Sequence, residues 1–228
     1  MAETIGAAEI VRMIRGGLDA IRANHRELSR LDTAIGDGDH GSAMLRAVEA
    51  AEKAIQDSGD GKTGDLLQAI AWGMMGAAGG APGPLFGSFF MGMGDAAGGE
   101  GAFDSAAVAA MFESGLASMR LQTKARPGEK TMIDALAPAI EALRAEADAP
   151  GDVPAALVRA ADAADAGAES TRDMQARHGK ARNMGERTIG HVDPGATSVA
   201  CLFRGFAEAL SGADHQGKEN TDHGGSRQ

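Results

Sequence analysis

Leu31-Asp32-Thr33-Ala34-Ile35-Gly36-Asp37-Gly38-Asp39-His40-Gly41 lies between two stretches of helical apolar spacing. It sets three carboxylates, Asp32, Asp37 and Asp39, within eight positions, with Gly36, Gly38 and Gly41 between or beside them. Three acidic side chains this close repel one another unless a cation sits between them. A set of oxygen ligands favours a hard ion, Mg2+ or Ca2+, over zinc. The calcium-hand loop is excluded by register. With Asp37 as its first position, Ser42 falls where the invariant glycine belongs and Val48 where the bidentate Glu belongs. The stretch therefore predicts a Mg2+ site in a glycine turn. Such a site usually completes its shell with phosphate oxygens.

On either side, apolar residues recur at intervals of three and four. The first helix is expected over about 4–30, with Ile5, Ile10, Val11, Ile14, Leu18 and Ile21 on one side. The second opens near His40 and runs to about Gln56. Further helices are expected over about 64–78 (capped by Thr63), 84–95, 105–122 (capped by Asp104 or Ser105), 130–147 and 153–177. The eighth starts most sharply, since Asp193-Pro194-Gly195 supplies an N-cap acceptor and then Pro at the first helical position. It runs to about Leu210. Strand signals are almost absent. Eight consecutive helices with short loops define an all-α chain, a closed barrel or bundle of antiparallel up-and-down helices over residues 1–211. Residues 212–228 hold no apolar residue beyond Ala213 and read as a disordered polar tail, with His215 and His223 solvated.

The 228 residues carry a net charge of -10, which argues against nucleic acid or an anionic membrane as a partner. Hydrophobic residues make up 43% of the chain, enough for a core, yet only 4% are aromatic, so Ala and Met do much of the filling. One cysteine, Cys201, permits no internal disulfide, and a cytoplasmic location fits. No signal peptide or membrane span is expected.

Three more segments carry chemistry. Gly76–Ser88 is a glycine-rich link between helices; its backbone N–H groups suit a phosphate, and close packing with a tight turn is the plainer reading. In Arg126–Asp134, Thr131 or Glu129 can cap the following helix and Lys130 can face a phosphate, or the segment is an ordinary loop. His178–Gly195 gathers Lys180, Arg182, Arg187 and His191 in an acidic chain, which suits either a bound anion or a solvated loop.

Taken together, Ile35–Gly41, Gly83-Pro-Leu-Phe-Gly87, Gly128-Glu-Lys-Thr-Met132, Asp134-Ala-Leu and Gly185–Ala196 occur in one order over about residues 5–211. In this the chain resembles the nucleotide-binding L subunit of dihydroxyacetone kinases. The resemblance implies an eight-helix barrel with ATP or ADP at one end and two Mg2+ ions on Asp32, Asp37 and Asp39. It implies phosphate contacts from the N–H groups of His40, Gly41, Ser42 and Ala43 and from Ala81 and Pro82. It places Gly128 and Ala137 on the adenine side and makes Asp193, Pro194 and Gly195 a nucleotide-contacting turn. Lys180 and Arg187 would supply positive charge during transfer. Three positions depart from the family pattern: Pro82 stands where Ser is usual, Lys180 where Arg is usual, and Arg182 where Ser is usual. Pro82 removes a hydroxyl and an N–H, and lysine cannot grip a phosphate bidentately.

The implied activity is transfer of a phosphoryl group to a ketose, a triose or tetrulose, held by a separate K subunit. In one mode ATP binds, donates its phosphate and leaves as ADP; in another, ADP stays bound and is rephosphorylated by a phosphotransferase-system protein. A homodimer is left open. The alternatives are a nucleotide-binding regulatory module without transfer activity and a stand-alone phosphatase, for which no water-activating base is evident.

Overall fold

The computed structural model describes residues 4–59, 61–77, 79–80, 82–147 and 152–212. These form α1 (Ala7–Ile35), α2 (His40–Asp57), α3 (Thr63–Ala77), α4 (Pro82–Ala97), α5 (Ser105–Gln122), α6 (Ile133–Ala147), α7 (Val153–Ser170) and α8 (Pro194–Ser211). Two short 3-10 segments, Thr171–Asp173 and Ala181–Thr188, lie between α7 and α8. Ala81 and all of the expected tail but Gly212 lie outside the described residues.

Short loops and packing set the up-and-down course. Residues 36–39 reach at most about 14 Å, so α2 starts beside the end of α1, and the packing of the two helices on each other shows that α2 folds back along α1. The long α7–α8 connection closes on itself: the Asp193 N–H donates to Thr171 Oγ1 at 2.8 Å, so α8 starts where α7 stops. Each helix packs on the next, and α8 returns to pack on α1, closing the ring. The C-terminal ends of the odd helices and the N-terminal ends of the even ones therefore share one end of the bundle. The expected helical bundle is the fold observed.

Side chains fill the ring. Phe89 and Phe90 of α4, Phe112 of α5, and Phe203 and Phe206 of α8 meet with ring centroids 5.4–5.9 Å apart. Most of these contacts are edge-to-face, the geometry aromatic quadrupoles favour. The closing seam of α1 and α8 depends on absent side chains. A Cβ on Gly16 would stand 2.5 Å from the Gly205 carbonyl oxygen, and one on Gly205 would strike that of Gly16.

Several local ends differ from the sequence reading: Thr63 is the first residue of α3 rather than its cap, α4 runs from Pro82 to Ala97 and α6 starts at Ile133, and three differences are larger. Ile5–Gly6 is a short strand, β1, paired antiparallel with β2 (Ala102–Phe103), so α1 starts at Ala7. Helix α1 continues beyond residue 30 to Ile35, and Thr33 directs its hydroxyl back to the Ser29 carbonyl. Helix α7 stops at Ser170, short of the expected 177, because the chain turns at Thr171. No described helix is long and apolar enough to cross a membrane.

Candidate functional site

Four connections meet at the shared end around a cavity of about 450 Å3. The first sets the three carboxylates. Asp32 sits in the last turn of α1, and Gly38, at φ +79°, turns the chain so that Asp37 and Asp39 come round beside it. Their oxygen atoms lie within 4.8 Å of one another. Asp32 Oδ2 also accepts the His40 N–H at 3.1 Å, which fixes the carboxylate against the start of α2.

Lys180 reaches across from the α7–α8 connection. Its ammonium contacts Asp37 and stands 3.3 Å from Asp39. The hydrogen bond from Lys180 holds the Asp37 carboxyl below its usual range, and Asp37 in turn raises Lys180. One ammonium against three carboxylates leaves excess negative charge, and the donor atoms are all oxygen. The residues present therefore fit a hard divalent cation. Beside them α2 begins without a side-chain cap. His40 gives its N–H to Asp32 and Ala43 gives its own to the Asp39 carbonyl at 2.9 Å, so Gly41 and Ser42 carry the remaining first-turn donors.

The ring of His40 is tied inward. The Ser198 hydroxyl donates to the Pro194 carbonyl at 3.0 Å, so the ring donates from Nε2 to Ser198 Oγ at 2.7 Å. Burial pushes this histidine down, keeping it neutral. It joins the start of α2 to the Asp193-Pro194-Gly195 turn. There Asp193 accepts the Ala196 N–H at 2.8 Å, the expected N-cap of α8. Burial pushes the Asp193 carboxyl up to about 7, against the opposing pull of the Ala196 N–H and Lys130.

The α5–α6 loop is built around acids. Asp134 accepts the Gly128 N–H at 2.5 Å and the Thr131 N–H at 2.8 Å. Thr131 Oγ1 takes the Ile133 N–H at 3.2 Å, as the expected cap. Glu129 instead accepts the Arg126 N–H and the ring of His178, whose hydrogen bond holds it below its usual range. Lys130 departs from expectation. It is buried, with its ammonium on the backbone carbonyls of Thr171 and His191, because its φ of +60° swings the side chain under the α7–α8 connection. Among the described residues it is the one non-glycine with positive φ, a conformation costing of order 1–3 kcal/mol that persists where surrounding contacts demand it.

Of the residues singled out from sequence, Asp32, Asp37, Asp39, His40, Pro82, Lys130, Thr131, Lys180, Asp193, Pro194 and Gly195 line the cavity, Lys130 with its ammonium turned onto backbone carbonyls. Gly41, Ser42, Ala43, Gly128 and Ala137 do not line it: Ser42 and Gly128 are exposed, and Gly41, Ala43 and Ala137 are buried. Arg187 is exposed and outside it, its Nε donating to the Met184 carbonyl at 3.5 Å. His191 contributes its backbone carbonyl rather than its ring. Sequence reasoning missed the apolar wall of Leu85, Met132 and Ile133 and the pairing of His178 with Glu129. The helical spacing of the wall residues reads equally well as core.

A domain of this fold, with such a carboxylate cluster at one end, has known relatives. Residues 34–208 match the DAK2 domain, and the chain belongs to that family. It is 35% identical over 206 residues to the PEP-dependent dihydroxyacetone kinase, ADP-binding subunit DhaL, of Escherichia coli (strain K12), covering 90% of this chain and 98% of that protein. It is 37% identical over 219 residues to the L-erythrulose 1-kinase of Mycolicibacterium smegmatis, covering 90% of this chain but 37% of that protein. The crystal structure of the dihydroxyacetone kinase from C. freundii in complex with AMP-PNP and Mg2+ superposes with a TM-score of 0.68 at 28% identity, covering 92% of this chain and 35% of that one.

Proposed function

We infer that the chain is the nucleotide-binding part of a dihydroxyacetone-type kinase, acting on a triose or tetrulose carried by a separate K subunit. The observation that carries this reading is the convergence of Asp32, Asp37 and Asp39 at the mouth of a cavity with an apolar wall. Family membership and the ADP-binding subunit named among the relatives support it.

Asp32, Asp37 and Asp39 would hold Mg2+, two ions in the family pattern. Bound there, Mg2+ would supply positive charge against the phosphates of ATP or ADP. The chain's own residues do the positioning. Gly41 and Ser42 offer N–H groups to phosphate oxygens at the positive end of α2. Lys180, already on the carboxylates, supplies a mobile positive charge at the transferring group. Leu85, Met132 and Ile133 present an apolar face to the base, and the Asp193-Pro194-Gly195 turn closes the far side. The terminal P–O bond breaks as the ketose hydroxyl oxygen bonds to phosphorus. The acceptor would come from the partner: both histidines that line the cavity are engaged within the chain, His40 with Ser198 and His178 with Glu129.

Calorimetry of Mg·ADP binding tests the reading. Asp37→Asn is expected to keep the helical circular-dichroism spectrum and to weaken binding by roughly two orders of magnitude, the scale of several kcal/mol expected for metal–charge pairing. Unchanged binding would overturn the metal assignment. Chromatography of the nucleotide released on denaturing the purified protein separates the two modes. ADP that survives dialysis points to a phosphotransferase-system donor, and an empty site that fills with Mg·ATP points to exchange.

A further inference from the structure

Lys180 has no secondary structure of its own to hold it. It sits between the two 3-10 segments of the connection 171–193, is exposed, and yet spans Asp37 and Asp39. Two adjacent residues of the neighbouring α5–α6 loop hold that connection. Glu129 grips its middle: its backbone carbonyl accepts the Arg177 N–H at 3.2 Å, and its carboxylate takes His178 Nε2 at 2.6 Å. Lys130 grips both ends: its buried ammonium donates to the Thr171 carbonyl at 2.6 Å and to that of His191. Neither side chain touches the three carboxylates. Lys180 follows His178 by two residues, so a fixed His178 limits where Lys180 can reach.

We propose that Glu129 and Lys130 act as a two-residue clamp that positions Lys180 over the carboxylate cluster, with His178 as the clamp's working contact. These are positioning residues. Their effect on nucleotide binding passes through Lys180, and the proposal rests on the reading of the cavity as a nucleotide site. Lys130 is the stiff arm, since its backbone is held left-handed and its charge is matched only by carbonyl dipoles and nearby acids. The His178–Glu129 pair is the arm that can be released, being half-buried and built from two side chains.

The test is a double-mutant cycle on the whole chain, read by calorimetric binding of Mg·ADP. His178→Ala is expected to weaken binding by about tenfold, the scale of one charge-assisted hydrogen bond. His178→Gln, which restores a donor to Glu129, recovers most of that loss. In a Lys180→Ala background, His178→Ala adds nothing further. Wild-type affinity in His178→Ala, or losses that multiply in the double variant, would overturn the clamp. Amide hydrogen exchange over residues 174–182 reads the clamp without nucleotide: faster in His178→Ala and near wild type in His178→Gln. Unchanged exchange overturns the proposal even if the wild type binds no Mg·ADP, a result that would itself sink the nucleotide reading instead.

Discussion

Asp193 shows what a single residue can and cannot disclose in advance. As the cap of α8 it was legible from Asp-Pro-Gly alone, because the acceptor, the ring-locked φ and the start of apolar spacing are all local. Its surroundings were not legible. The acid is buried near Lys130, which arrives from a loop about sixty residues earlier, and burial pushes it up to about 7 from an ordinary 3.8. An acid that favours its protonated form in the fold takes up a proton on folding, so stability falls as pH rises between about 4 and 7 and levels off above. Asparagine caps a helix as well as aspartate and carries no charge. Asp193→Asn is therefore expected to melt like the wild type near pH 4–5 and a few degrees above it at pH 8. Calorimetric melting of the nucleotide-free protein across that range checks the sign; parallel curves would contradict it. Lys130 is the opposite case. Its motif suggested a phosphate contact, but partners at separations of 41 and 61 residues decided its direction.

At the scale of the element, helix existence was readable and helix ends were less so. Apolar spacing located all eight helices. The stop of α7 was missed because Thr171 is not a helix breaker. What ends the helix there is tertiary: its hydroxyl accepts the Asp193 N–H, and its carbonyl is taken by Lys130. Helix α1 was drawn too short because Asp32 and Thr33 look like loop residues; Thr33 instead returns its hydroxyl to the preceding turn. Packing between elements sets its own demand at the α1–α8 seam. Gly205→Ala drives a methyl into the Gly16 carbonyl, so the two helices must part. A loss of about 1–3 kcal/mol is expected from such overpacking, measured by urea unfolding with an unchanged slope. Stability equal to wild type would mean that the seam is looser than described.

For the molecule as a whole, the ring and the site are separable. The phenylalanine cluster fills the bundle between α4, α5 and α8, whereas the carboxylates stand at one end, on the last turn of α1 and the loop that follows it. Phe112→Ala is expected to cost about 3–5 kcal/mol of stability and to leave Mg·ADP affinity within twofold at 25 °C. A parallel loss of affinity would show that core and site are coupled. The overall architecture was legible from helix count and short connections, and the triad from its spacing. The cavity's walls were not, since Leu85 of α4 meets Met132 and Ile133, at the start of α6, only once the ring closes. An even number of helices in a closed ring has a further consequence. The start of α1 and the finish of α8 both lie at the end away from the carboxylates, an α8 length of about 27 Å from the mouth. A neighbouring domain can thus be spliced to either terminus as cargo without obstructing entry. The same module can serve as a separate polypeptide or as one portion of a fused chain, as it does in relatives where it makes up 98% and 37% of the sequence.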